Sequence, residues 1–204
     1  SSAVRSAGAP TPADRLPLVL GFDDPLPRRP RRIVVAGVSG AGKTTLAARI
    51  AAVFDAPHTE IDGLYHGENW TPRDAFLDDV RALVAGERWT TEWQYHVARP
   101  ILSESAELLV WLDLPFVRVT LPRVIRRTVG RRLRREALWN GNTEPPLHTF
   151  FTSREHIVRW SIATRGKYRE RIPRLETEHP DLLIVRLRSR REVEAWLAAQ
   201  RPRG

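Results

Sequence analysis

The chain has 204 residues, 42% of them hydrophobic, a formal net charge of +9 and no cysteine. That length suits one α/β domain with a sizeable core, and no apolar run approaches the ~18 residues of a membrane span. The missing cysteines exclude disulfides, thiolate metal sites and cysteine nucleophiles, which fits a reducing cytoplasm. Nearly all of the positive charge is arginine, only Lys43 and Lys167 being lysines. Such a balance fits a nucleic-acid binder or a nucleotide enzyme with arginine clamps.

Residues 1–31 are rich in Pro, Ala and Arg and read as an N-terminal extension, of which Leu16–Phe22 has the apolar content to dock on the domain. From residue 32 to 204 the pattern is regular. Ile33-Val34-Val35-Ala36 is an apolar run closed by glycine, as in a central parallel strand. Leu46, Ile50, Val53 and Phe54 then recur at helical spacing. His58–Asp62 is expected to form a second strand. Thr71-Pro72-Arg73-Asp74 has the composition of a helix start, with Phe76, Val80, Leu83 and Val84 as its buried stripe and Gly86 as its stop. Arg88–Trp93, Leu108–Leu112 and Leu182–Leu187 supply three more strands. Helices are expected after Pro115 and near Thr152–Arg171. Ser189-Arg190-Arg191-Glu192 reads as a capping box ahead of Val193, Trp196 and Leu197. Strands alternating with helices predict a parallel sheet covered on both faces.

The chemistry begins at Gly37-Val38-Ser39-Gly40-Ala41-Gly42-Lys43-Thr44, which satisfies G-x-x-x-x-G-K-[ST] at every fixed position, with a strand before it and a helix after it. Glycines let successive backbone N–H groups turn toward one phosphate, Lys43 reaches the β- and γ-phosphates, and Thr44 offers its hydroxyl to Mg²⁺. ATP and Mg²⁺ are the cofactors this implies.

Three further features bear on the reaction. Leu108–Leu112 ends in Asp113, which is placed to hold the Mg²⁺ shell through water, while Leu114 and Pro115 stand where motor ATPases carry a water-polarising Glu. After Pro115, Val117, Leu121, Val124, Ile125 and Thr128 share one helical face, and Arg123, Arg127, Arg131 and Arg134 gather on a neighbouring one. Like charges so arranged repel unless an anion sits against them, so Arg127 and Arg131 are candidate catalytic residues stabilising the transferred phosphoryl group. Asp62, ending the expected second strand, is a candidate for orienting or deprotonating an acceptor hydroxyl. Glu92-Trp93-Gln94-Tyr95 faces the same crevice as part of the acceptor pocket.

Gly37–Thr45, Ile61-Asp62-Gly63-Leu64, Val110–Pro115, Glu136-Ala137-Leu138-Trp139-Asn140-Gly141-Asn142 and Arg188-Ser189-Arg190-Arg191-Glu192-Val193 together resemble one group. It is the adenylate-kinase-like P-loop proteins labelled topology modulation proteins, in the nucleoside monophosphate kinase-like superfamily. The resemblance covers about residues 32–200. It implies a P-loop NTPase fold with a five-stranded parallel sheet in the order 2-3-1-4-5, an arginine-bearing lid over about residues 127–150, and an adenine slot near Arg188. It further implies nucleotide contacts from Gly37, Ser39, Gly40, Ala41, Gly42, Lys43, Thr44 and Thr45. The Thr-Gly-Asp turn and arginine segment of true adenylate kinases are missing between Thr59 and Arg81, which leaves nucleotide and hydroxyl acceptors both open.

The leading expectation is an ATP- and Mg²⁺-dependent phosphotransferase acting on a small molecule, located in the cytoplasm with no membrane partner. The alternative is a nucleic-acid-binding or regulatory NTPase without small-molecule kinase activity.

Overall fold

The computed structural model describes residues 19–67, 71–115, 120, 122 and 166–201. Its sheet has five strands, all pairings parallel. In chain order the elements are β1 (Val19–Leu20), β2 (Arg32–Gly37), α1 (Lys43–Phe54), α2 (Ile61–Tyr65), α3 (Phe76–Val84) and β3 (Trp89–Glu92). They continue with α4 (Arg99–Ser105), β4 (Leu108–Leu112), α5 (Lys167–Glu178), β5 (Leu183–Leu187) and α6 (Arg190–Ala199). The apolar run around Ile33 lies inside this sheet, fully buried between β3 and β4.

The strand order is β1-β5-β4-β2-β3, which corrects the expected 2-3-1-4-5 at both edges. The inner sequence of four strands is as expected, but His58–Asp62 contributes a single parallel bridge, His58 to Thr90, in place of a strand. Side chains end the ladder there. Thr90 and Thr91 donate their hydroxyls to the carbonyls of Ala56 and Thr59, and the Glu92 carboxylate takes the Ile61 N–H, turning the chain into α2. At the opposite edge, Val19 and Leu20 of the extension pair with Ile184 and Val185.

The helix beginning at Thr71 is also corrected. Pro72 bridges to His66 and the Arg73 N–H donates to the Tyr65 carbonyl, so α3 opens only at Phe76. Phe76 and Val80 are its buried residues. Helix α5 lies partly beyond the expected Thr152–Arg171, whose residues 152–165 are outside the described ones.

Phe54 of α1 stacks on Trp196 of α6 at 5.9 Å, and Arg49 pairs with Glu194, so these helices share one face. Helix α4 meets α3 and, through Trp93 and Tyr168, α5 on the other face. The capping sequence before α6 behaves as read: the Glu192 N–H donates to the Ser189 hydroxyl at 3.1 Å. The Glu192 carboxylate in turn takes the Arg188 N–H, one residue before the cap.

Candidate active site

The C-terminal ends of β2, β3 and β4 bring the chemistry-bearing residues together. After β2 the chain curls through Gly40 at φ 78° and Gly42 at φ 99°, a left-handed region that residues with a Cβ rarely adopt. The Ala41 N–H closes a turn onto the Val38 carbonyl at 3.1 Å, and Gly42 caps α1. Ser39 and Ala41 are buried in this loop. Lys43 is the first residue of α1, its Nζ resting 3.4 Å from the Val38 carbonyl oxygen. Thr44 and Thr45 follow in the first turn, Thr45 exposed. The first N–H groups of α1 have no partner within the helix, as at any helix start.

Glu92, the last residue of β3, has a side chain only 4% exposed. It receives His58 Nε2 at 3.2 Å, the Ile61 N–H at 3.1 Å and the Thr44 hydroxyl. Burial alone would raise its pKa, but these bonds and the nearby imidazole outweigh it and hold the carboxyl below its ordinary value. An ionised carboxylate thus touches the threonine that ends the glycine loop. The sequence placed Glu92 only in an acceptor pocket. The signal for more was a charged residue closing a strand of wholly buried residues.

Asp62 lies one residue beyond the Ile61 amide that Glu92 holds. It sits in α2, not at a strand end, and its Oδ1 accepts from Gln94 Nε2 and from the Tyr95 hydroxyl, both at 2.6 Å. Burial and the Asp62 charge push the Tyr95 phenol far above its ordinary pKa, so it stays a donor. Tyr95 stacks on Tyr65 at 3.8 Å and its backbone is left-handed, φ 57°. A residue with a Cβ rarely adopts that conformation.

Asp113 follows β4, with its N–H on the Leu187 carbonyl at 2.9 Å. Its Oδ2 is gripped by Arg186 of β5 and its Oδ1 lies 3.4 Å from Arg169 of α5. Arg186 also lies over the Trp111 ring. The acid expected to reach Mg²⁺ is therefore engaged by two guanidinium groups. Arg188 is exposed just before α6. Arg127, Arg131 and the lid at 127–150 lie outside the described residues.

A second cationic group was not anticipated. Arg99 starts α4 with its guanidinium 5.0 Å above the Trp93 ring, and Tyr168 of α5 bonds both to Arg99 and to the Gly37 backbone. Among the described residues no helix is long and apolar enough to cross a membrane, and no three acidic or histidine side chains cluster as a metal site.

No family model matches the sequence, and no curated protein does either. Among solved structures, an unliganded sugar kinase from Janibacter sp. HTCC2649 is 23% identical, covering 85% of this chain and 99% of its own, with a TM-score of 0.46. A gluconokinase from Sinorhizobium meliloti 1021 is 21% identical, covering 84% of this chain and 94% of its own, with a TM-score of 0.45. Superpositions that loose leave function to be argued from this chain's own residues.

Proposed function

We propose that this chain is an ATP- and Mg²⁺-dependent phosphotransferase with a small-molecule acceptor, built on a P-loop. One observation carries the reading: the glycine loop, Lys43 and Thr44 open α1 directly against the buried carboxylate of Glu92. A hydroxyl and a carboxylate are hard oxygen donors. Mg²⁺ keeps most of its waters and takes only one or two protein ligands beside substrate phosphates, so Thr44 and Glu92 fit it. When bound, the ion neutralises charge on the β- and γ-phosphates.

The chain's own groups account for the rest. The loop amides and Lys43 hold the polyphosphate tail and place its terminal phosphorus at the mouth of the crevice. Asp62, fixed through Oδ1, presents its other oxygen to an acceptor hydroxyl. The acceptor oxygen bonds to the γ-phosphorus as the bond from that phosphorus to the bridging oxygen breaks. The hydroxyl proton passes to Asp62 and ADP departs. Arg127 and Arg131 are assigned to the spreading charge of the transferred group, and Gly37, Ser39, Thr45 and Arg188 to the nucleotide. The acid beside the metal is assigned to Glu92, with Asp113 as the strut that ties β4 to β5 and α5. Membership of the topology modulation group belongs to the same proposal and rests on the sequence stretches quoted above, as does a cytoplasmic location.

Calorimetry with Mg·ATP is the first test. Wild-type protein is expected to bind, and Lys43→Ala to bind at least about tenfold more weakly, since a charge-assisted contact is lost. No heat of association with the wild type would end the reading. A screen of ATP consumption against nucleoside monophosphates, nucleosides and sugars is then expected to show turnover that depends on an acceptor. Brisk hydrolysis indifferent to every acceptor would point to an NTPase instead.

A further inference from the structure

His58 pairs with β3 through a single parallel bridge to Thr90. The bridge is closed by the Thr90 N–H on the Pro57 carbonyl at 2.8 Å and by the Thr59 N–H on the Thr90 carbonyl at 3.0 Å. Residues two apart on a strand share a face, and bridged partners share one too. His58, Thr90 and Glu92 therefore lie on the same side of the sheet. In that register a ladder two residues longer would set Glu60 directly opposite Glu92, and like charges so placed repel. The chain leaves the ladder before that point, its Ala56 and Thr59 carbonyls held by the Thr90 and Thr91 hydroxyls at 2.9 and 2.7 Å.

Glu92 is met by donors instead of a second acid. His58 Nε2 lies 3.2 Å from Oε1, and the Ile61 N–H lies 3.1 Å from Oε2. The two side chains of the pair are nearly buried, 12% of His58 and 4% of Glu92 being exposed. An ionised carboxylate only accepts, so Nε2 of His58 carries a hydrogen. One donor on each oxygen fixes both the position and the rotation of the carboxyl plane. The Thr44 hydroxyl, the third contact, comes from the glycine loop and is itself assigned to the ion. His58 is thus the side chain whose part is to hold the acid. Carboxylates that bind metal ions are commonly oriented by such outer hydrogen bonds, whose loss costs about 10- to 100-fold in metal affinity.

We propose that His58 is a positioning residue of the Mg²⁺ site, acting through Glu92, so that it strengthens the hold on the ion and not on the nucleotide. This rests on the phosphotransferase reading, in which Thr44 and Glu92 hold Mg²⁺. The phosphates have their own donors, the loop amides and Lys43, so nucleotide affinity without metal does not depend on the imidazole.

Calorimetry with the β,γ-imido analogue of ATP, once in EDTA and once in excess Mg²⁺, separates the two contributions and needs no acceptor. The wild type is expected to bind more tightly in Mg²⁺. His58→Phe keeps a ring but no donor: its affinity in EDTA should match the wild type within about twofold, and in Mg²⁺ it should fall about 10- to 100-fold. Two further variants tell positioning from packing. A glutamine amide N–H reaches where Nε2 stands, whereas that of asparagine reaches only where Nδ1 stands. His58→Gln should therefore recover most of the Mg²⁺ effect and His58→Asn should not. A ring that merely fills space would give no such order, and the pair decides the matter even if His58→Phe fails to fold. Equal losses in EDTA and in Mg²⁺ for His58→Phe would overturn the proposal, as would glutamine faring no better than asparagine. If Mg²⁺ tightens binding to His58→Phe as much as to wild type, but not to Glu92→Gln, this proposal falls alone and the acid keeps its metal role. A wild type that ignores Mg²⁺, or does not bind the analogue, overturns the phosphotransferase reading and this inference together.

Discussion

Glu92 and Asp113 end the two strands that flank β2, and both are nearly buried, with side chains 4% and 11% exposed. Their company is opposite in kind. Glu92 is held by an imidazole, a backbone N–H and a hydroxyl, and so keeps negative charge to offer a cation. Asp113 is held by two permanent cations, which neutralise it where it stands. Both are carboxylates at the C-terminal ends of strands, Glu92 as the last residue of β3 and Asp113 just after β4. What differs is the partner set, and that decides which carboxylate has charge left for chemistry.

The comparison is broken most directly at Glu92. Glu92→Gln keeps the side-chain volume and the bond from Ile61 but removes the charge, and acceptor-dependent kcat is expected to fall about 100- to 1000-fold. A loss below about fivefold would move the metal role away from this residue. Asp113→Asn should act on stability instead. It leaves Arg186 and Arg169 without their counter-charge, at a cost of about 1–2 kcal/mol, discounted because Arg169 is mostly exposed. Urea denaturation measures that cost, and Mg·ATP affinity should hold. Abolished turnover with unchanged stability in Asp113→Asn would exchange the roles of the two acids.

The same contrast shows what the sequence could carry. Four strands, the glycine loop and the inward residues of α6 were legible because each is a local pattern: an apolar run, a fixed spacing, a cap. The strand expected at His58–Asp62 does not form, because its ladder is interrupted by hydroxyls and a carboxylate that arrive from β3, about thirty positions later in the chain. The edge strand Val19–Leu20 is two residues long, too short for any period to show. Asp62 was singled out as the end of a strand facing the crevice, yet the chain carries it on a helix. Asp113 had the look of a metal acid, and only β5 and α5 reveal its two arginines. Arg99 was invisible for the same reason, since only the fold sets its guanidinium over Trp93.

Tyr95→Phe sharpens the comparison on the side of Glu92. The change deletes one of the two 2.6 Å bonds that hold Asp62 and leaves the Tyr65 stack in place. Stability should drop by about 1 kcal/mol, the usual worth of one such bond. The acceptor KM should rise about three- to tenfold while the KM for ATP stays fixed, because only the acceptor-facing acid is loosened. Equal changes in both constants would mean that the loop itself had moved.

The smallest effect belongs to a third carboxylate, at the opposite end of the sheet. Glu107, just before β4, accepts the Arg31 N–H at 2.7 Å and Arg32 Nη2 at 3.1 Å. Burial pushes its pKa up, but these bonds and the Arg32 charge prevail, so it lies below the ordinary value in the folded chain. Unfolding returns the carboxyl to its usual range, about 4.3, where it binds protons more readily than in the native state. Its contribution is therefore complete above that value and fades as pH falls through the lower folded one. Glu107→Gln should be less stable than wild type at neutral pH by a few tenths of a kcal/mol, as suits a partly exposed pair. The two unfolding curves should converge below about pH 4. A gap between Glu107→Gln and wild type that widened in acid would mean the carboxyl is favoured in its protonated form, and that Arg31 and Arg32 do not hold it as an ion.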